Sequence, residues 1–308
     1  MFSGGKAAEF MKGQGAQVEE IIDDPVPSVV NGEMRRVALW YMRSWVAYKR
    51  SLKRTERLFE RYSPDLVVCD EEFTGLTVAG KLGKKRVFVS DELQLGFART
   101  WIARAIERRV ERWYRQLQET VDILLIPEFG EDSANRRHVG PIVRAPTLSG
   151  EQSRTKYGLP SGKMILFSMS GSGIGRELAA RAADLVEAGP FGDAFLAVTG
   201  NRGPRLAGDR VYDLGLVPDN QNLVASADLV ISTAGKSTID EAASLGVPII
   251  VIPIRHHAEQ ERNAEDLGYS ANDSERLEAL MREKLGKRST PRPYSGESAA
   301  CSAIMSLM

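Results

Sequence analysis

The chain has 308 residues, 43% of them hydrophobic and 27% charged, with 41 basic residues balanced by 41 acidic ones. This is ordinary globular composition, sufficient for one large or two ordinary cores, and the balanced charge gives no support for nucleic-acid binding. Cys69 and Cys301 fit neither a disulfide framework nor a metal spacing, and His138, His256 and His257 are too few for a metal cage, so no metal is expected.

The opening "MFSGGKAAEFMKGQG" lacks the apolar stretch of a secretion signal. The longest apolar run, "GVPIIVIPI", falls far short of the ~20 residues a membrane span needs, so any membrane contact is peripheral. A cytoplasmic location, with access to the inner membrane surface, is expected.

Two arginine-rich segments are predicted helical, "RSWVAYKRSLKRTERLFERY" (43–62) and "FARTWIARAIERRVERWYRQ" (97–116). In the second, Trp101, Ala105, Ile106, Val110, Trp113 and Leu117 follow helical spacing. Such a stripe either faces a core or, with its cationic flanks, lies on an anionic membrane. Around them, "DLVVC" (65–69), "KRVFVS" (85–90) and "VDILLIP" (121–127) read as buried parallel strands. The segment "HVGPIVRAPTLSGEQ" (138–152) has no helical period and reads as a linker.

Beyond it the strands are "KMILFSM" (163–169), "AFLAVTG" (194–200), "DLVIS" (228–232) and "VPIIVIP" (247–253), most followed by helices. The fold class is α/β, with a doubly wound, Rossmann-like parallel sheet in each half. The expected domains are 1–143, 144–295 and a closing helix over 296–308.

Three strand ends of the second half carry ligand-type residues. In "FSMSGSGIGRE", Ser170, Gly171, Ser172 and Gly173 can turn backbone N–H groups toward an anion at a helix start. It is not a Walker loop, and an unliganded tight turn is as good a reading. In "STAGKSTIDEAASLGVP", Thr233, Gly235, Ser237 and Thr238 crowd the turn before a helix. Ser237 or Thr238 can cap that helix beside a phosphate. Glu241, one turn on, can accept two hydrogen bonds from a ribose diol, although a solvated first-turn acid is the plain alternative. In "PIRHHAEQERNA", Glu259 and Gln260 suit sugar hydroxyls, while His256 and His257 read as polar loop residues.

"TAGKSTIDEAASLGVP" with "EQERNA" resembles the donor-binding signature of two-domain, GT-B nucleotide-sugar glycosyltransferases, most of all the C-terminal domain of the N-acetylglucosaminyltransferase that makes lipid II and related archaeal proteins. The resemblance implies two Rossmann-like domains facing a cleft. It puts Glu241 on the ribose, Gly235, Ser237 and Thr238 beside the diphosphate, and Glu259 and Gln260 beside the donor sugar. Ser170 to Gly173 match the phosphate-facing loop, and Leu216 and Val217 the wall around the base. Asn263 and Ala264 complete a shared pattern that serves helix packing. The family's opening strand, Gly-Gly-His-like loop and helix have no counterpart here, so the N-terminal domain is expected to be incomplete.

The implied reaction moves a hexose, N-acetylglucosamine first among them, from a UDP-sugar donor to an unidentified, lipid-linked acceptor by metal-independent inverting displacement. Asp70 and Asp91, each following a strand, are candidates for the base, and capping of the next helices is an equal reading for both. Two alternatives stay open: a nucleotide-sugar 2-epimerase, and a non-catalytic donor-binding subunit that needs a partner.

Overall fold

The computed structural model describes all residues except 1, 5–7, 9–10, 14, 23–24, 26–27, 31–32, 91–95, 97, 99, 170–174 and 256, and only the backbone of 2, 4, 21–22, 28–30 and 33–35. Two compact units share the chain: Met1–Val30, Met34–Pro141 and Ser295–Met308 make the first, and the second is built on Ile142–Tyr294. No described helix is long and apolar enough to cross a membrane.

The first unit begins with short strands β1 (Phe2–Gly4), β2 (Glu19–Ile22), β3 (Ser28–Val30) and β4 (Glu33–Arg35), paired β1 with β2 and β3 with β4. It continues α1 (Val37–Tyr62), β5 (Leu66–Asp70), α2 (Phe73–Lys81), β6 (Lys85–Val89), α3 (Trp101–Thr120), β7 (Ile123–Ile126) and β8 (Arg136–His138). The second unit runs α4 (Gly150–Lys156), β9 (Met164–Ser168), α5 (Arg176–Glu187), β10 (Phe195–Thr199), β11 (Val211–Gly215), α6 (Asn220–Ser226), β12 (Leu229–Ser232), α7 (Lys236–Leu245), β13 (Ile249–Val251), α8 (Ala258–Glu265), a 3-10 turn (Ala271–Arg276) and α9 (Leu277–Lys284). Helix α10 (Gly296–Met305) closes the chain and belongs to the first unit.

The first unit's main sheet is parallel, ordered β5-β6-β7-β8. Alternate strand residues serve opposite faces, as the pleat requires. Phe88 and Leu124 join Leu76 and Tyr114 on one side, while Val87, Ile123 and Leu125 pack beneath Ala300 of α10 on the other. Strand β8, with the sequence Arg136-Arg137-His138, is an edge that no apolar run announced.

Helix α3 differs from its expected stripe. Its buried residues are Ala103, Glu107, Tyr114 and Gln118, whereas Trp101 is 78% exposed and Ala105 is also exposed. The cause is Glu107, whose Oε1 accepts from the Tyr41 hydroxyl at 3.0 Å and the Ala98 N–H at 3.2 Å, turning that face inward. Ile106, Val110, Trp113 and Leu117 are only half-buried.

The second unit's sheet is also parallel, ordered β11-β10-β9-β12-β13. Ile165, Phe167, Leu196, Val198, Leu229 and Ile231 face one cluster, and Met164, Leu166, Phe195, Ala197 and Val230 the other. Burying each such side chain contributes about 1.5–3 kcal/mol, so both faces are committed. The chain moves outward from β9 to β10 and β11, then returns to the opposite side of β9 for β12 and β13. The switch therefore lies between β9 and β12, where an open α/β sheet offers a crevice beyond its carboxyl ends.

Asn222 ties the incoming chain to this unit. It is wholly buried, and its Oδ1 accepts the backbone N–H groups of Thr147 and Leu148 at 2.7 and 3.1 Å.

Candidate functional site

The turns after β9 and β12 meet at the switch point. Gly175, at φ 111°, adopts a conformation that favours glycine, and a Cβ built on it would stand 2.7 Å from Thr233 Cγ2. Ser170, Gly171, Ser172 and Gly173, the expected anion loop, lie outside the described residues.

The turn after β12 is built around a strained residue. Ala234, fully buried, sits at φ 65°, a left-handed conformation that costs an L-residue roughly 1–2 kcal/mol. Asn263 of α8 holds it, donating its side-chain amide to the Ala234 carbonyl at 3.1 Å. Asn263, expected to serve helix packing, thus fixes this loop. Thr233 beside it is 2% exposed, and its Oγ1 has no hydrogen-bond partner among the described residues. A buried unsatisfied hydroxyl costs ~1–3 kcal/mol and marks a place where a ligand can repay it.

Helix α7 starts earlier than the serine and threonine suggested. Its N-cap is Gly235, with no side-chain cap bond, so neither Ser237 nor Thr238 caps it. Ser237 is exposed and Thr238 half-buried within the first turn. Among the described residues no side chain accepts from the first-turn N–H groups, and the positive end of the helix dipole faces the crevice. A Cβ on Gly235 would touch nothing within 4 Å, which leaves room beside those donors. Lys236 opens the helix with its ammonium on Asp240, at 2.9 and 2.7 Å to the two carboxylate oxygens.

Glu241 is 3% exposed, not a solvated first-turn acid. Its Oε1 accepts from Arg144 Nε and Nη2, both at 3.2 Å, while Arg144 Nη1 reaches the Pro218 carbonyl at 3.3 Å. Burial pushes the Glu241 carboxyl above its ordinary range, and the Arg144 charge and hydrogen bonds oppose that rise. Arg144 belongs to the stretch read as a linker, and nothing local in the sequence announced it.

Beyond β13, His257 caps α8: the Gln260 N–H donates to its Nδ1 at 3.4 Å, and burial holds the imidazole below its usual pKa. His256 lies outside the described residues. Gln260 is 6% exposed, and its Oε1 accepts the Ile254 N–H at 3.1 Å, so its carbonyl fastens the β13–α8 loop. Glu259 is half-buried in the first turn of α8. After β11, Leu216 is 58% exposed, whereas Val217 packs against the core beside Tyr212 and Leu214.

A polar tie beneath the crevice has no signature in the sequence. Thr199 donates to Asn220 Oδ1 at 2.9 Å, and the Asn220 amide donates to Ser168 Oγ at 3.2 Å, joining the carboxyl ends of β9 and β10 to α6.

In the first unit, Asp70 ends β5 and is exposed, while Asp91 lies outside the described residues. The cap of α2 is Glu72, which accepts the N–H groups of Thr74 and Gly75 at 2.6 and 2.7 Å, so Asp70 does not cap that helix. Between them Glu71 stands at φ 49° and accepts the Ser90 hydroxyl at 2.5 Å.

Parallel α/β sheets in two units, with an uncapped helix and a buried carboxylate at the second sheet's switch point, place the chain in the class of two-unit, open-sheet α/β proteins. The second unit carries a more particular stamp: residues 206–278 match the glycosyltransferase family 28 C-terminal domain. An uncharacterised glycosyltransferase of Methanopyrus kandleri is 28% identical over 226 residues, 68% of this chain and 62% of that protein. The UDP-N-acetylglucosamine--N-acetylmuramyl-(pentapeptide) pyrophosphoryl-undecaprenol N-acetylglucosamine transferase of Deinococcus deserti is 31% identical over 249 residues, 68% of this chain and 61% of that enzyme. The chain thus spans about three fifths of the length of these curated relatives. Its fold is that of the GT-B glycosyltransferases: the glycotransferase of kitacinnamycin superposes with a TM-score of 0.62 at 17% identity, covering 99% of this chain and 86% of that one.

Proposed function

We propose that the chain transfers a hexose, N-acetylglucosamine first among candidates, from a UDP-sugar to a hydroxyl of a lipid-linked acceptor. One observation carries this reading. The uncapped start of α7, the unpartnered Thr233 hydroxyl and the buried Glu241 carboxylate occupy successive positions at the switch point, inside residues matched by the family 28 domain.

The chemistry follows from those groups. The first-turn N–H groups of α7 and the Thr233 hydroxyl donate to the diphosphate, and Lys236 can exchange Asp240 for a phosphate oxygen. Charge accumulates on the departing diphosphate as the anomeric C–O bond breaks, and a fixed helix terminus stabilises it by up to ~2 kcal/mol in a partly buried site. No metal is required for that. Glu241 accepts the ribose hydroxyls. The acceptor oxygen attacks the opposite face of the anomeric carbon, which inverts it, and gives its proton to a general base. UDP leaves.

Calorimetric titration with UDP-N-acetylglucosamine, UDP-glucose and GDP-mannose tests the donor site. Binding of the uridine nucleotides supports the proposal, and silence toward all three sinks it. UDP release on adding a polyprenyl-diphosphate sugar, with no free 2-epimer accumulating, separates transfer from epimerisation.

A further inference from the structure

We infer that Arg144 is a positioning residue for the nucleotide: it grips Glu241 by one carboxylate oxygen and so reserves the other for a ribose diol. The inference rests on the reading of Glu241 as the ribose acceptor.

The geometry is one-sided. Arg144 Nε and Nη2 both converge on Oε1, each at 3.2 Å, and no hydrogen bond from a described residue reaches Oε2. The guanidinium is itself held at its far corner, where Nη1 donates to the Pro218 carbonyl at 3.3 Å. A planar fork anchored at two ends fixes the position of the carboxylate oxygen it holds. The Arg144 side chain is half exposed while that of Glu241 is 4% exposed, so the pair sits at the rim with its acid turned inward.

The second task is to keep the acid charged. A carboxylate accepts from both hydroxyls of a diol, whereas a protonated acid offers one donor and less acceptor capacity. Around Glu241, its neighbour Asp240 disfavours the charge, and Asp240 is itself paired with Lys236. Tyr294 interacts with that Asp240–Lys236 pair. Of the elements packed on α7, α6, β12 and β13 contain no charged residue, the segment after α9 brings Arg292, whose backbone N–H donates to the Ala243 carbonyl at 3.2 Å, and Ser244 only donates to the Glu241 backbone carbonyl. Arg144 is therefore the cation that opposes burial here.

The test is titration of the full chain with UDP-N-acetylglucosamine, whose doubly esterified diphosphate has no group that titrates between pH 5.5 and 8.5, across that range and in buffers of different ionisation heat. The unsubstituted chain should show less pH dependence and less proton exchange on binding than a variant that lacks the cation. Arg144→Met should bind at least about tenfold more weakly at the acid end, recover as pH rises, and release a proton on binding, because a buried carboxyl without its cation must lose a proton before it accepts both ribose hydroxyls. Arg144→Lys should restore most of the affinity at neutral pH. Glu241→Gln should bind weakly at every pH, with Arg144→Met adding nothing to it. An Arg144→Met deficit of constant size across pH, without proton release, or no deficit at all, overturns the inference. If the unsubstituted chain does not bind UDP-N-acetylglucosamine, the ribose reading itself has failed. A melting curve of each variant, with Arg144→Lys as the mildest change, shows whether a deficit reflects folding.

Discussion

Gly175 and Thr233 touch across the two loops of the switch point, so closely that a Cβ on Gly175 would lie 2.7 Å from Thr233 Cγ2. Each loop thereby sets the position of the other. Gly175 precedes α5 at φ 111°, where an alanine is strained irrespective of space. Gly175→Ala is expected to destabilise the chain by about 1–3 kcal/mol and to weaken UDP binding, because relief of the contact displaces Thr233. Urea unfolding with UDP titration checks both, and an unchanged affinity would separate the two loops functionally.

Asn263 offers a gentler probe of the same turn. Removing its amide leaves the Ala234 carbonyl unsatisfied in a buried place, at a cost of about 1–3 kcal/mol. Asn263→Ala should therefore unfold at lower urea and lose donor affinity. Adding Ala234→Gly, which relieves the left-handed backbone at φ 65°, should return part of the stability but not the ordering of the loop. Stability and affinity are expected to part company in the double variant.

Glu241→Ala removes the proposed ribose contact and leaves the Arg144 guanidinium without its acid. Weakening of UDP binding by about 1–3 kcal/mol is expected, with uracil or inorganic diphosphate alone little affected. Calorimetry with UDP and with those fragments distinguishes a lost ribose contact from a general collapse of the pocket.

Asp219 gives a pH signature. Although burial acts against it, hydrogen bonds from Lys156, Tyr157 and Asn222 hold its carboxyl at about 2, against an ordinary 3.8. The folded pKa is depressed, so the stabilisation is present above the unfolded value and is lost as pH falls from about 4 toward about 2. Asp219→Asn should melt lower than the unsubstituted chain at pH 6, and the gap should close across that acid window. A gap that stayed constant down to pH 2 would mean that its charge is not the source.

Much of the fold was legible because buried parallel strands are apolar runs: β5 to β7, β9, β10, β12 and β13 all announce themselves. Strands β8 and β11 did not, since they carry mixed residues such as Arg136, Arg137 and Asp213, unlike the apolar edge strands β5 and β13. At the switch point, the sequence sets Thr233 and Glu241 at one strand end, where the structure has both buried, whereas it gives no sign of their partners. Arg144 lies 97 positions from Glu241, and an ion pair of that span leaves no local pattern. Gln260 shows the converse: an amide that sequence reads as a sugar contact spends its carbonyl on the Ile254 N–H. The stripe on α3 failed for a related reason, since a buried Glu107 looks like a surface residue until Tyr41 is seen beside it.

The acceptor side makes its own prediction. On α1, Met42, Trp45 and Val46 are 55%, 53% and 48% exposed, among the exposed cations Arg43, Lys49 and Arg50, and the Lys49 ammonium lies 5.0 Å from the Trp45 ring centre. At the start of α3, Trp101 and Ile102 are 78% and 50% exposed, followed by the exposed Arg104, Arg108 and Arg109. Exposed tryptophan among cations suits a lipid headgroup boundary, where each basic residue contributes about 1 kcal/mol near an anionic surface. The chain should therefore sediment with phosphatidylglycerol vesicles at low salt, less so at high salt, and poorly with phosphatidylcholine alone. Trp45→Ser with Trp101→Ser should weaken that binding at constant charge and leave UDP affinity intact. Indifference to anionic vesicles at low salt would remove the membrane from the proposal and leave a soluble acceptor in its place.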